Sequence, residues 1–219
     1  TIEVKNNAMT KTILITGASG TVGSATGDYL CRQGYNVIGV SRSVREDANC
    51  YTDTAQIDLL EENDLQKLED LMREKDVDAV FHLAWNLPVE NFDTHKAWRP
   101  NMDMFDNILN VSKDAGVPIF INGSSIHAGI GDIGAYTVDA DFEGTPQPYK
   151  YSIDPENSFD LRKESPGKLL DPREENPDSP YGWSQIITER KLQEEVENED
   201  LQIGGSIRNG GVNQDHENA

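Results

Sequence analysis

The run Gly17-Ala18-Ser19-Gly20-Thr21-Val22-Gly23 restricts the possible folds of this chain more than any other feature. It follows a short apolar stretch, Thr12-Ile13-Leu14-Ile15-Thr16, of the kind expected for a parallel strand buried on both faces. It opens a helical pattern with Val22, Ala25, Tyr29 and Leu30 on one face and Gly34 just beyond the last turn. The three glycines have separable jobs: Gly17 permits a tight turn, Gly20 lets backbone approach a pyrophosphate, and Gly23 lets helix and strand pack closely. The helix N-terminus adds unpaired N–H groups and a positive dipole end. A glycine-rich turn without a ligand is the plainer alternative. The position of the turn, between a first strand and a helix at the head of a series, favours phosphate binding. Ser19, Thr21 and Val22 join the three glycines as candidate contacts.

The alternation continues down the chain. Asn36 to Val40 reads as a second strand, the segment around Gln56-Ile57 as a third, and Asp78 to Leu83 as a fourth. Glu61 to Lys75 is a charged helix with Leu65, Leu68, Leu71 and Met72 turned inward; another helix carries Met102, Phe105, Ile108 and Leu109 and stops near Gly116. Pro118 to Ile121 is a fifth strand, Tyr181 to Asn198 a further helix, and Leu201 to Ile207 a sixth strand. Such spacing implies right-handed βαβ units: an α/β fold of Rossmann type, a doubly wound parallel sheet with helices on both faces.

The 219 residues are enough to bury a sizeable core without disulfides or metals. Residues 1–8 precede Met9 and read as a tag or a disordered tail, and 213–219 as a C-terminal tail. Between them, 9–212 is expected to be one dinucleotide-binding domain with a long insertion at about 127–180, rich in Gly, Pro, Asp, Tyr and Ser. Acids outnumber bases 39 to 19, for a formal net charge of −20. No basic footprint exists for nucleic acid or an anionic membrane, so neither is an expected partner. The acidity fits either a high-salt habitat or an ordinary acidic cytosolic protein, and identifies no substrate. Two cysteines, Cys31 and Cys50, make no framework, and no signal-peptide core or membrane-length apolar run occurs, so a cytoplasmic location is expected. His95 and His216 stand in polar surroundings without paired ligands, so no metal site is expected.

The second strand ends in Ser41-Arg42. Folds that bind NAD commonly place an acid here to hold the adenine ribose hydroxyls. Ser41 cannot do that, whereas Arg42 can meet a 2′-phosphate through bidentate, charge-assisted bonds. The expected cofactor is NADP or NAD, with NADP slightly favoured. An exposed arginine with no such role is the alternative.

Taken together, several pieces of the chain resemble the extended short-chain dehydrogenase/reductase family, also called the NAD-dependent epimerase/dehydratase family. They are Thr16 to Gly23, Asp58-Leu59, His82-Leu83-Ala84, Asn101 opening a helix, Ser124-Ser125 after the fifth strand, and Tyr181-Gly182-Trp183-Ser184 opening the last helix. They run in family order from about residue 10 to 212. A shorter likeness, in Ser124 to His127 and Arg208, is to the uronate dehydrogenase branch. The resemblance implies that Asp58 holds the adenine amino group and that Leu59, Leu83, Ala84 and Tyr181 help line the cofactor. It implies hydride transfer between nicotinamide and a sugar, nucleotide-sugar or uronate, with Tyr181 as acid/base and Ser125 holding the substrate oxygen. Family members usually continue into a smaller substrate domain, here short or missing, and many form homodimers; Ile186, Ile187 and Leu192 suit such an interface or packing on the chain's own sheet.

One position departs from the family pattern. Four residues after Tyr181, where the family places lysine, stands Gln185. Residues i and i+4 share a helix face, so the lysine would set a cation beside the phenol. A free phenol titrates near about 10, so service as a base near pH 7 needs roughly 4 kcal/mol of help. A cation about 5 Å away at an effective dielectric of about 20 supplies roughly 3 kcal/mol. Glutamine supplies only hydrogen bonds. None of the seven tyrosines is followed by lysine at +4. Lys150, Lys163 or Lys168 of the insertion folding back is one remedy, and Tyr149, Lys150 and Tyr151 are candidate lid residues. The chain is then either an enzyme with an altered proton relay or a catalytically impaired dinucleotide-binding sensor or scaffold. Asn86, His127 and Arg208 are further candidates for substrate contact, Trp85, Trp98 and Arg99 are taken as a solvent-facing loop, and His82 is expected to be a packing or hydrogen-bonding residue.

Overall fold

A computed structural model of the chain describes residues 10–43, 50–87, 95–128 and 180–209, and the structural statements below concern those residues. The expected tails, nearly all of the insertion with Tyr149, Lys150, Tyr151, Lys163 and Lys168, the side chain of His95, and His216 lie outside them. The chain runs β1 (Thr12–Thr16), α1 (Thr21–Arg32), β2 (Asn36–Ser41), β3 (Asp53–Gln56), α2 (Glu62–Glu74), β4 (Ala79–His82), α3 (Arg99–Asp114), β5 (Ile119–Ser125), α4 (Pro180–Glu197) and β6 (Ile203–Asn209). The strands form one parallel sheet in the order β3-β2-β1-β4-β5-β6. The chain therefore steps outward from β1 to β3, crosses back, and steps outward again from β4. The reversal opens a crevice at the carboxyl ends of β1 and β4, where doubly wound sheets bind ligands.

Alternating side chains send the two faces of the sheet into different cores. Leu14, Ile38, Val40, Val80 and Phe120 pack against Leu68 and Met72 of α2, Phe105 and Ile108 of α3, and Leu192 of α4. Ile13, Ile15, Val37 and Ala79 pack with Leu30 of α1 on the opposite face. Helices thus cover both sides, as the alternating pattern implies. Among the described residues no helix is long and apolar enough to cross a membrane.

The inner face of α1 differs from the sequence expectation. Tyr29 is 57% exposed, and Ala25 faces outward too. The helix instead buries Gly23, Gly27 and Leu30. It lies too close to its neighbours for larger residues: a Cβ on Gly27 would collide with the Tyr51 hydroxyl, and one on Gly23 with the Gly17 carbonyl. Apolar periodicity cannot reveal a face made of glycine. β5 extends four residues past its expected end and carries Ser124 and Ser125 into the buried end of the sheet. β6 begins two residues late, because the N–H groups of Gln202 and Ile203 both donate to the Pro118 carbonyl at the strand's entrance. Ile186, Ile187 and Leu192 are buried in the chain's own core, with Ile187 against Trp98 and Met102, so they give no support to a dimer interface.

Candidate functional site

The glycine turn folds as its spacing requires. Gly17 sits at φ +70°, where a side chain is strained, and its Cα faces the Leu83–Ala84 backbone so closely that a Cβ would lie 2.8 Å from the Ala84 nitrogen. The Gly20 N–H donates to the Gly17 carbonyl at 2.9 Å to close the turn. Gly20 then serves as the N-cap of α1, with no side-chain cap and no acid in the first turn. The positive dipole end of α1 therefore lies at Gly20, which lines the crevice.

Thr16 ties the ends of β1 and β4 together. Its Oγ1 accepts from the N–H groups of Leu83 at 3.2 Å and Ala84 at 3.3 Å, and lies 2.8 Å from His82 Nδ1. The hydroxyl thus holds the ring through Nδ1, while Nε2 is buried with no hydrogen-bond partner among the described residues. His82 is fully buried against Phe105 and Phe120, and burial pushes its pKa down to about 3, so the ring is neutral. It is the packing and hydrogen-bonding residue the sequence implied.

A cleft of about 210 Å³ occupies the crevice. Its floor is Thr16, Gly17, Ser19 and Gly20; one wall is Ser41, Arg42 and Ser43, and the other Leu83, Ala84, Trp85 and Asn86. Asp58, Leu59 and Met104 close the far end. Eight of the expected cofactor contacts meet here: Gly17, Ser19, Gly20, Arg42, Asp58, Leu59, Leu83 and Ala84. Thr21, Val22 and Gly23 lie in the first turn of α1, outside the cleft wall. Asn86, a candidate for substrate contact, lines the same cleft, and its Oδ1 accepts from Arg42 Nη2 at 2.9 Å.

The expected reaction residues lie on the other side of Trp85. The Tyr181 ring packs on Trp98 at 4.7 Å between centroids, beside His127 at 5.5 Å and edge-on to Trp85 at 6.4 Å. Ser125 ends β5, buried, and its Oγ accepts from the His127 N–H at 3.3 Å. His127 thereby touches both residues. Gln185 is fully buried one turn along α4, and neither its Oε1 nor its Nε2 has a hydrogen-bond partner among the described residues. Trp98, taken above as a loop residue facing solvent, is fully buried under Tyr181. Besides Met102 on the next turn, its apolar contacts, Ile187 and Tyr181, come from a distant segment that local sequence does not reveal.

Arg208 is not part of this cluster. Its guanidinium forms a two-point ion pair with Glu189 of α4, at 2.9 and 2.6 Å, and Glu189 also accepts from Ser124 Oγ at 2.6 Å. The pair lines a more open groove of about 640 Å³ between α4 and β6, which holds none of the expected cofactor contacts.

The family model for the NAD dependent epimerase/dehydratase family matches residues 13–152. The chain belongs to that family. The match spans more than half of the chain and takes in the glycine turn, Asp58, Ala84 and Ser125. No curated protein sequence matches this family member. Solved structures similar to it include a UDP-N-acetylglucosamine 4-epimerase from Bacillus cereus, at 18% identity and TM-score 0.59, over 90% of this chain and 52% of that one. A UDP-glucose 4-epimerase from Thermus thermophilus, in complex with NAD, gives 19% identity and TM-score 0.62 over 90% and 54%. An L-threonine dehydrogenase from Clostridium difficile gives 23% identity and TM-score 0.59 over 91% and 53%. This epimerase/dehydratase-family chain thus spans about half the length of the structures it matches.

Two contributors escaped the sequence reading. Met104 joins the cleft from α3, and Asn101, noted only as a helix opener, clamps the Asn86 backbone: its Nδ2 donates to the Asn86 carbonyl at 2.8 Å and its Oδ1 accepts the Asn86 N–H at 2.7 Å. A buried asparagine in the first turn of an apolar helix is the signal that was available for the second.

Proposed function

We propose that this chain is, or is part of, an NAD(P)-dependent oxidoreductase or epimerase/dehydratase acting on a sugar, nucleotide-sugar or uronate by hydride transfer. The observation that carries the reading is the cleft itself, where the uncapped helix end, the glycine floor and Asp58 converge at the topological switch point of the sheet. These groups fit a dinucleotide: backbone donors suit a diphosphate, the Leu83–Ala84 wall and Met104 suit a flat apolar surface, and Asp58 suits an amino group. NADP is slightly favoured, because Ser41 and Arg42 stand where NAD binding would call for an acid.

A bound nicotinamide supplies the two-electron chemistry. Ser125 Oγ holds the reacting oxygen of substrate, and the Tyr181 hydroxyl gives or takes its proton. Trp98 and Trp85 fix the plane of the Tyr181 ring, and His127 borders both residues on the substrate side. Gln185 provides amide dipoles where the family places a cation, so the phenol lacks that aid to ionisation.

The test is thermal stabilisation by NAD and NADP, followed by a panel of sugars and uronates monitored by reduced-nicotinamide absorbance. Saturating coenzyme at about 100 times its Kd stabilises the fold by about 2.7 kcal/mol. Gln185→Lys is expected to raise turnover by about tenfold or more. A second reading, a dinucleotide-binding sensor or scaffold, is favoured by the buried amide of Gln185, which has no partner among the described residues. Coenzyme binding with no turnover across the panel, unchanged by Gln185→Lys, selects it. The absence of binding by either coenzyme rejects both readings.

A further inference from the structure

Arg42 is exposed, yet it does not stand alone in solvent. Its Nη2 donates to Asn86 Oδ1 across the mouth of the cleft at 2.9 Å, joining the end of β2 to the segment after β4. Asn86 is held in turn by the two-point clamp from Asn101, which is 1% exposed and rooted in α3. The chain of contacts runs from a buried side chain, through a fixed backbone, to the guanidinium.

We infer that Asn86 is a positioning residue that aims Arg42 at the 2′-phosphate of an adenosine ligand, so that Asn86 and Asn101 contribute to the choice of NADP over NAD without touching the chemistry. This rests on the reading of the cleft as a dinucleotide site. Three observations support it. Among the described residues lining the cleft, Arg42 is the only cation and Asp58 the only carboxylate. Asn86 is neutral, so it orients the guanidinium while leaving its whole positive charge for an anion, which a carboxylate at 86 would cancel. It takes one N–H, from Nη2, and leaves other donors of the fork for phosphate oxygens. An arginine aimed in advance loses less freedom on binding than one sweeping through water. The hydroxyls of Ser41, Ser43 and Ser19 surround it: Ser43 Oγ donates to Ser19 Oγ at 3.2 Å, and Ser41 Oγ donates to the Ser43 carbonyl. Among the described residues lining the cleft, those beside Arg42 are polar and Asp58 is the one carboxylate.

The experiment compares calorimetric binding of ADP and 2′,5′-ADP to the full chain and to three variants, reading the ratio of the two dissociation constants in each. A shared loss of folded protein cancels in that ratio. The intact chain is expected to prefer 2′,5′-ADP by about tenfold or more. Arg42→Ala removes the preference. Asn86→Ala lowers it about fivefold by releasing the guanidinium. Asn86→Asp lowers it further, because the new carboxylate pairs with Arg42 and repels phosphate. An Asn86 that merely shapes the loop would change both affinities together and leave the ratio alone. A ratio unmoved in Asn86→Ala and Asn86→Asp overturns the inference, as does equal binding of ADP and 2′,5′-ADP by the intact chain; in both cases the dinucleotide reading stands. Failure of both nucleotides to bind overturns that reading and the inference with it.

Discussion

The two ends of the crevice are built on different principles. At the coenzyme end, backbone does most of the work: a left-handed glycine, a turn closed by its own carbonyl, and an uncapped helix, braced by Thr16 and by the Asn101 clamp. At the other end, side chains from β5, α4 and the start of α3 meet around Tyr181, and polar atoms of Gln185 are buried without partners among the described residues. Backbone geometry is specified by local spacing and tolerates little change. A side-chain cluster is specified by packing and can lose one member while the fold persists. The difference shows which half of such a site is free to drift.

The largest expected effect tests the tightness of the coenzyme end. Gly23→Val drives a side chain into the Gly17 carbonyl, a backbone atom that cannot yield without moving the turn. A loss of about 3 kcal/mol is expected in urea unfolding, with coenzyme stabilisation abolished. A variant with unchanged stability would show that the turn is loosely held and the contrast between the ends false.

An intermediate effect concerns His82, which joins the two ends through Thr16. Its folded pKa of about 3 lies below the ordinary value of 6.5, so the unfolded chain binds the extra proton first. Its contribution to stability is complete above pH 6.5 and is lost as pH falls toward 3. The loss between about pH 7 and 5 comes to about 2 kcal/mol. Urea unfolding at a series of pH values checks this, and His82→Asn flattens the profile in that window.

The smallest effect tests the other end. If Gln185 is held without partners, an apolar side chain of similar volume relieves the burial of two unpaired polar atoms. Gln185→Met is expected to stabilise the chain by about 1 kcal/mol in the same assay. A net loss would mean that the amide is bound after all and that the two ends are equally well satisfied.

Much of the fold was legible because its signals are local. The apolar run of β1, the spacing of Gly17, Gly20 and Gly23, the inward stripe of α2 and the stop at Gly116 are each written within a few turns of chain. Eight of the twelve cofactor candidates line one cleft for the same reason, since they sit at strand ends whose order the βαβ rhythm dictates. The exposure of Tyr29 and the burial of Trp98 were misread, and the partners of Asn86 and Arg208 were not legible, because these surroundings involve remote segments: Tyr51 against α1, Tyr181 over Trp98, Asn101 under Asn86, and Glu189 opposite Arg208.

By itself, the order of residues determined a parallel α/β sheet with a tight glycine turn at its head, since periodicity and glycine spacing act through nearest neighbours along the chain. It also exposed the missing lysine, because positions i and i+4 share a helix face whatever surrounds them. Only the tertiary structure decided that glycine forms the inner face of α1, that Arg42 is braced across the cleft, and that the amide of Gln185 is sealed from solvent. Those outcomes depend on which surfaces meet at distances of a few ångströms, and contact between residues far apart in the chain leaves no local periodicity to read.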